Sequence, residues 1–173
     1  ETCEPALLKE TVAAARDLDM GIHIHAAGNG REFLDILYRH RKPVIEYLAD
    51  TGILGRRTIL GHAIFIAGHS QIHYPFADEL KLLAETGTSV GHCPYKYAKM
   101  GAALESFDRY VRRGVNVGLG TDTYPMDIVS EMRNAMMIAR VVDGNHLAAR
   151  PADVFNAATV WGARALGRWG WVK

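Results

Sequence analysis

The chain has 173 residues, 49% of them apolar, and its 20 Lys+Arg against 19 Asp+Glu leave a formal charge of +1. That is enough apolar material for one domain with a sizeable core, while the near-neutral balance and the lack of a basic stripe interleaved with aromatics argue against a nucleic-acid binder. No apolar run approaches the ~18 to 20 residues of a membrane span and no signal-peptide pattern is visible; the two cysteines, Cys3 and Cys93, stand in no paired spacing, so neither a disulfide scaffold nor a cysteine-built zinc site is expected, and a reducing cytoplasm is the default location.

Residues 5 to 19 carry Leu7, Leu8, Val12, Ala15 and Leu18 at helical spacing, directly after a first residue that is Glu rather than Met. A helix with no strand before it reads as a fragment, or as a chain whose beginning has been removed. A strand over 20 to 26 ends in Ile22-His23-Ile24-His25, followed by a Gly28-Asn29-Gly30 turn. The long amphipathic stretch from Arg31 to Thr51 is divided at Pro43, because the residue before a proline is pushed out of the α region. A strand over 57 to 63 ends at Gly61-His62, and a loop with Gly68 leads to a helix near 76 to 86. The strand over 88 to 92 ends at His92, and Pro94 starts a loop reaching Gly101. A helix over 102 to 113 precedes a strand over 115 to 120, whose apolar run closes in Gly120-Thr121-Asp122. Helices then follow over 128 to 142 and 151 to 167, the last opened by Pro151 and closed by Gly167.

Strand starts about 27 to 38 residues apart, each strand followed by helix, predict βαβ units and a parallel sheet. Four such units are too few for a closed eight-stranded barrel of ~250 residues. Gly28-Asn29-Gly30 is a poor match to the phosphate loop of an open dinucleotide fold. A partial barrel fits better, since His25, His62, His92 and Asp122 all fall at or near carboxyl ends of strands, where barrel enzymes place their catalytic groups. Neutral imidazoles and a carboxylate are also what a metal-activated water requires.

In this order, Ile22-His23-Ile24-His25, Ile59-Leu60-Gly61-His62, Ser89-Val90-Gly91-His92-Cys93-Pro94 and Gly114 to Asp122 resemble the later half of the amidohydrolase superfamily. Ala157 to Gly167 is similar to its closing barrel helix. The branch it resembles contains cytosine and guanine deaminases and the s-triazine chlorohydrolases. The resemblance implies an α/β fold, with residues 1–173 as strands five to eight of a TIM (β/α)8 barrel, the early strands and a flanking β domain being absent from this sequence. It also implies His25 as a metal ligand, Asp122 as ligand and proton acceptor, and His62 as the residue that polarises the substrate or orients the water. The implied cofactor is one divalent metal, zinc or iron, and His23, two residues before His25 on the same strand face, is a lesser candidate.

Three departures stand out. Deaminases of this branch carry Glu three residues after the fifth-strand histidine, where this chain has Gly28. Many relatives have Ser-Asn after His-Cys-Pro, where this chain reads Tyr95-Lys96-Tyr97-Ala98-Lys99, so Tyr97 and Lys99 become candidate substrate contacts, with His92 divided between substrate contact and a structural hydrogen bond. Two of four expected ligands are missing. The expectation is therefore a metal-dependent hydrolase acting on a C–N or C–halide bond of a small, cyclic, nitrogenous substrate. The barrel would be completed by missing residues or a partner chain, and the protein would associate as a homo-oligomer. The alternative is a catalytically silent barrel serving as a binding or assembly module. His40, His69, His73 and His146 are expected to be solvated or capping, Lys96 and Lys99 to be part of a solvated loop, and Trp161, Trp169 and Trp171 to form an interface patch or a surface covered by the missing domain.

Overall fold

The structure, a computed structural model describing residues 3–167, is built around a parallel sheet in the order β1 (Ile22–Ala26), β2 (Thr58–His62), β3 (Ser89–His92) and β4 (Asn116–Leu119). Chain order equals spatial order, as expected when each strand is carried forward by a crossover helix. The register puts Ile24 beside Leu60, Leu60 beside Val90, and Val90 beside Val117. Three members of this row, Leu60, Val90 and Val117, are 0–1% exposed. Alternation gives the row one face, and the helices cover it; each such side chain contributes about 1.5–3 kcal/mol by leaving water.

The helices are α1 (Pro5–Asp17), α2 (Gly30–His40), α3 (Val44–Thr51), α4 (Glu79–Thr86), α5 (Pro94–Lys99), α6 (Phe107–Arg112), α7 (Ile128–Asp143), α8 (Pro151–Ala158) and α9 (Val160–Gly167). Their starts follow local capping chemistry. Asn29 accepts from the Glu32 N–H, Asp78 from Lys81, Ser106 from Arg109, and Asp127 from Val129 and Ser130. Gly52, Gly87 and Gly144 end α3, α4 and α7 in the left-handed conformation, where a Cβ is disfavoured. Pro43 does separate α2 from α3, as the N-cap of the second.

Three element expectations are corrected. The stretch after Pro94 is helix α5, because proline's fixed φ and missing N–H suit a first helical turn as well as a loop. The helix expected over 102 to 113 starts only at Phe107, where Ser106 provides the cap. The closing helix is two, broken at Thr159 with ψ −90°, which turns α9 against β4. That turn lets Gly162 approach Gly118 so closely that a Cβ on Gly118 would lie 3.5 Å from the Gly162 Cα. Asn116 adds a polar tie, donating to the Ser89 Oγ and the Trp161 carbonyl, each at 3.1 Å. Trp161 packs partly buried against the core, whereas Trp169 and Trp171 lie outside the described residues. No described helix is long and apolar enough to cross a membrane.

Candidate metal centre

The row next to Ile24–Val117 faces the opposite way and reads His25, Gly61, Gly91, Gly118 across the four strands. Three glycines side by side remove the side chains that would fill the sheet's inner face. A cavity of about 330 Å³ opens over them, bordered also by Cys93 and Asp122. His25 stands at the end of the row, and a Cβ on Gly61 would come within 2.9 Å of its Cδ2. The glycine is what gives the imidazole its place.

By alternation His62 should point with Leu60 toward the helices. It does not, because its φ is +83°, in the left-handed region that ends regular strand geometry and re-aims the side chain. Its ring lies 4.9 Å from that of His25 and 4.8 Å, edge-on, from that of Tyr97. The next residue, Ala63, also has positive φ, and the turn is held by Ala63 and Ile64 N–H groups donating to the Ala26 and Ala27 carbonyls and by the Tyr110 hydroxyl donating to the Ala63 carbonyl at 2.6 Å. Strained backbone at a strand end, fastened from several sides, is characteristic of functional sites.

Asp122, likewise at positive φ, brings Oδ2 to 3.6 Å from His62 Nε2 and accepts a hydrogen bond from Lys96 Nζ. Ligand-capable atoms of His62, Cys93 and Asp122 all lie within 4.8 Å of one another. Burial pushes the His62 pKa down to about 4; the Asp122 carboxylate works against that shift, and the Lys96 ammonium with it. Burial raises the Asp122 carboxyl, but the Lys96 hydrogen bond and charge, then His62 and His25, bring it below its ordinary value. At neutral pH the site therefore presents an uncharged imidazole beside a carboxylate. The Cys93 thiol is pushed up to about 12 by burial and then by Asp122, so it remains protonated there.

Of the residues singled out in the sequence, His25, His62, Asp122 and Tyr97 converge. Tyr97 is 3% exposed and, with His25, His62 and Lys96, lines a second and larger cavity of about 700 Å³. His92 is not brought to either cavity: it stays on the helix-facing side, 2% exposed, with Nδ1 buried and without a hydrogen-bond partner among the described residues, and burial drives its pKa to about 3. Lys99 reaches over the Tyr95 ring at 5.2 Å and lines neither cavity. Lys96, expected in a solvated loop, is instead the cation paired with Asp122. His69, expected to be solvated, is 3% exposed, with Nε2 3.1 Å from the Ala103 carbonyl and Nδ1 accepting from the Gln71 N–H. His23 shares the exposed face of β1 with His25, and its pKa is lowered by burial and then by His25.

Two contributors were not singled out from the sequence. Cys93 follows the β3 histidine directly, a position hidden when cysteines are weighed only as pairs. Glu32, 7% exposed, lines the larger cavity, and the Asn29-x-x-Glu32 capping spacing was its one sequence signal.

The donors present suit a zinc-type ion. Asp122 supplies a carboxylate oxygen and His25 an imidazole, its ring 4.9 Å from that of His62, whose own ring stays neutral 3.6 Å from the Asp122 carboxylate.

The profile of the Amidohydrolase family matches residues 1–170. The chain is 35% identical over 170 residues to a 5'-deoxyadenosine deaminase of Methanothermobacter thermautotrophicus, covering 96% of this chain and 38% of that protein. It is 33% identical, again over 170 residues, to a 5-methylthioadenosine/S-adenosylhomocysteine deaminase of Desulforudis audaxviator, covering 96% and 37%. In structure it is similar to a zinc-bound adenosine deaminase of Xanthomonas campestris, with TM-score 0.84, 28% identity, and coverage of 97% of this chain and 37% of that one. The chain thus spans well under half the length of these relatives.

Proposed function

This chain belongs to the amidohydrolase family, and from that premise we propose that its four βα units are the later part of a (β/α)8 barrel that hydrolyses a C–N bond of a small nitrogenous heterocycle. The remaining strands would come from residues outside this sequence or from a partner chain, in an assembly of identical copies. The observation that carries the reading is the convergence of His25, His62 and Asp122 from the ends of β1, β2 and β4. Three separate strand ends have no packing reason to point two imidazoles and a carboxylate at one place.

His25 and Asp122 would hold the metal, zinc in our reading as in the Xanthomonas relative, with further ligands from the strands that complete the barrel. The chemistry such an ion would supply when bound is the acidification of water, whose pKa it lowers to about 7. The protein's own groups do the rest. Asp122, kept ionised by Lys96, accepts the proton released at the attacking oxygen and delivers it to the leaving nitrogen. His62, neutral and fixed by its turn, hydrogen-bonds the charge that develops on the attacked centre. Tyr97, whose phenol is kept protonated by burial and by Asp122, forms a wall of the larger cavity edge-on to His62.

Among C–N hydrolyses we assign deamination of an amino-purine nucleoside, on the strength of the deaminase relatives at 33–35% identity. Dehalogenation and ring opening are the less favoured members of the same class. The silent-module alternative is not favoured, because the turn that re-aims His62 carries backbone strain that a scaffold would have no reason to keep. The test uses the protein with its complete barrel: Asp122→Asn and His62→Ala should each lower turnover of adenosine or 5'-deoxyadenosine by at least two orders of magnitude with the circular dichroism unchanged. Near wild-type rates refute the assignment.

A further inference from the structure

β3 is the strand whose exit takes no part in the proposed hydrolysis. His62 ends β2 and Asp122 follows β4; between them, directly after β3, stands Cys93. Cys93 is the N-cap of α5, a position where Ser, Thr, Asp or Asn turns its side chain to the helix, yet its thiol makes no capping bond. The residue is 8% exposed and borders the 330 Å³ cavity together with His62 and Asp122. Gly120 lines the same cavity and leaves one side of the sulfur uncovered: a Cβ there would lie 3.6 Å from Sγ.

A nitrogen, a sulfur and an oxygen from three consecutive strand ends thus face one cavity, their ligand atoms all within 4.8 Å of one another. Around a tetrahedral ion with bonds of about 2.0–2.3 Å, ligand atoms stand about 3.3–3.8 Å apart. Asp122 Oδ2 and His62 Nε2, 3.6 Å apart, already have that spacing. Bringing the sulfur to it requires a contraction on the order of 1 Å, which a small side-chain rotation supplies. This set is not the one assigned to the catalytic ion: it has His62 in place of His25, and it adds a thiol, the ligand that soft ions select. Asp122 has two oxygens and can serve both. An ion held here would occupy the His62 imidazole and the carboxylate that accepts the proton, and it would displace the Lys96 ammonium from Asp122.

We propose that His62, Cys93 and Asp122 form a second, inhibitory metal site selective for thiophilic divalent ions such as cadmium or excess zinc. As the ion enters, the thiol proton passes to solvent and a sulfur–metal bond takes its place. This inference rests on reading the site as a zinc-dependent C–N hydrolase, and a spectroscopic readout separates the two claims. The protein with its complete barrel, holding one equivalent of zinc and carrying Cys3→Ser to remove the exposed thiol, is titrated with cadmium while sulfur-to-metal charge-transfer absorption in the ultraviolet, bound zinc and adenosine turnover are followed together. One cadmium should bind with the zinc retained, the absorption should rise as turnover falls, and magnesium at the same concentrations should do neither. Cys93→Ser and Cys93→Ala, each measured against its own uninhibited rate, should lose the absorption and need at least tenfold more cadmium for half inhibition, with circular dichroism and zinc content unchanged. No absorption in the parent, absorption that persists in both variants, inhibition unaltered by removing the thiol, or zinc released one for one with the cadmium bound overturns the second site. Cys93-dependent absorption in a protein that turns over no amino heterocycle upholds the metal site and refutes the hydrolase reading instead.

Discussion

Tyr110→Phe removes one oxygen from a site that is 1% exposed and withdraws the 2.6 Å hydrogen bond that the Ala63 carbonyl accepts. Ala63 is itself 0% exposed, so water cannot replace the donor without opening the turn. Leaving a buried acceptor without this partner costs about 1–3 kcal/mol. With a urea slope on the order of 2 kcal/mol per molar for a domain of this size, the unfolding midpoint should drop by roughly 0.5–1.5 M. Tyr47→Phe is the internal control. Its hydroxyl is buried with no hydrogen-bond partner among the described residues, so deleting it should leave the midpoint unchanged or raise it. The functional consequence follows from what the Tyr110 bond restrains, the left-handed pair His62 (φ +83°) and Ala63 (φ +45°). Once loosened, the pair can relax toward ordinary φ and carry the imidazole away from Asp122, so kcat should fall by about tenfold while KM changes little. Equal urea midpoints for Tyr110→Phe and wild type, with unchanged kcat, would show that the turn is held by something other than this bond.

Gly61→Ala places a methyl 2.9 Å from His25 Cδ2; zinc content and turnover should fall together, and retention of both would remove His25 from the ligand set. Lys96→Met withdraws the main group that lowers the Asp122 carboxyl, so the acid limb of the pH–rate profile should move to higher pH; an unmoved limb would separate Lys96 from the titrating group. Stability should also fall with acid. His62 and His92, with folded values of about 4 and about 3 against 6.5 unfolded, take up protons only on unfolding as the pH drops below 6.5. Glu79, raised to about 7 by burial, acts with the opposite sign over the same interval. Two contributions against one leave a net loss on the order of 2 kcal/mol between pH 6.5 and 5, and a flat urea midpoint across that interval would contradict it.

The strand ends were legible because apolar runs closing in His or Asp state both the period and the exit, as in Leu60-Gly61-His62 and Leu119-Gly120-Thr121-Asp122. What could not be seen was geometry that breaks the period. Nothing in the letters says that His62 leaves its alternation, which depends on a left-handed φ fixed by Tyr110 from 47 residues away. Helix α5 was hidden because Pro94 serves a loop and a helix start alike. Glu32 was hidden because Asn29-x-x-Glu32 reads as a helix cap alone, and Lys96 because its partner Asp122 lies 26 residues downstream. His69 was misjudged for a similar reason: the Ala103 carbonyl that meets its ring is 34 residues away.

The exits of β1 and β2 are stitched to each other by the Ala63, Ile64 and Phe65 N–H groups donating to the Ala26 and Ala27 carbonyls. His25, Gly28 and His62 consequently ride on one rigid ledge. The segment after β4 is built differently, with Tyr124 and Met126 more than 80% exposed just beyond Asp122. Changes at Tyr124 and Met126, which border neither cavity, can alter the surface beside Asp122 while the ledge keeps its alignment. Substitutions should accordingly be tolerated first on the Asp122 side, where the chain is exposed, and last along the β1–β2 exits.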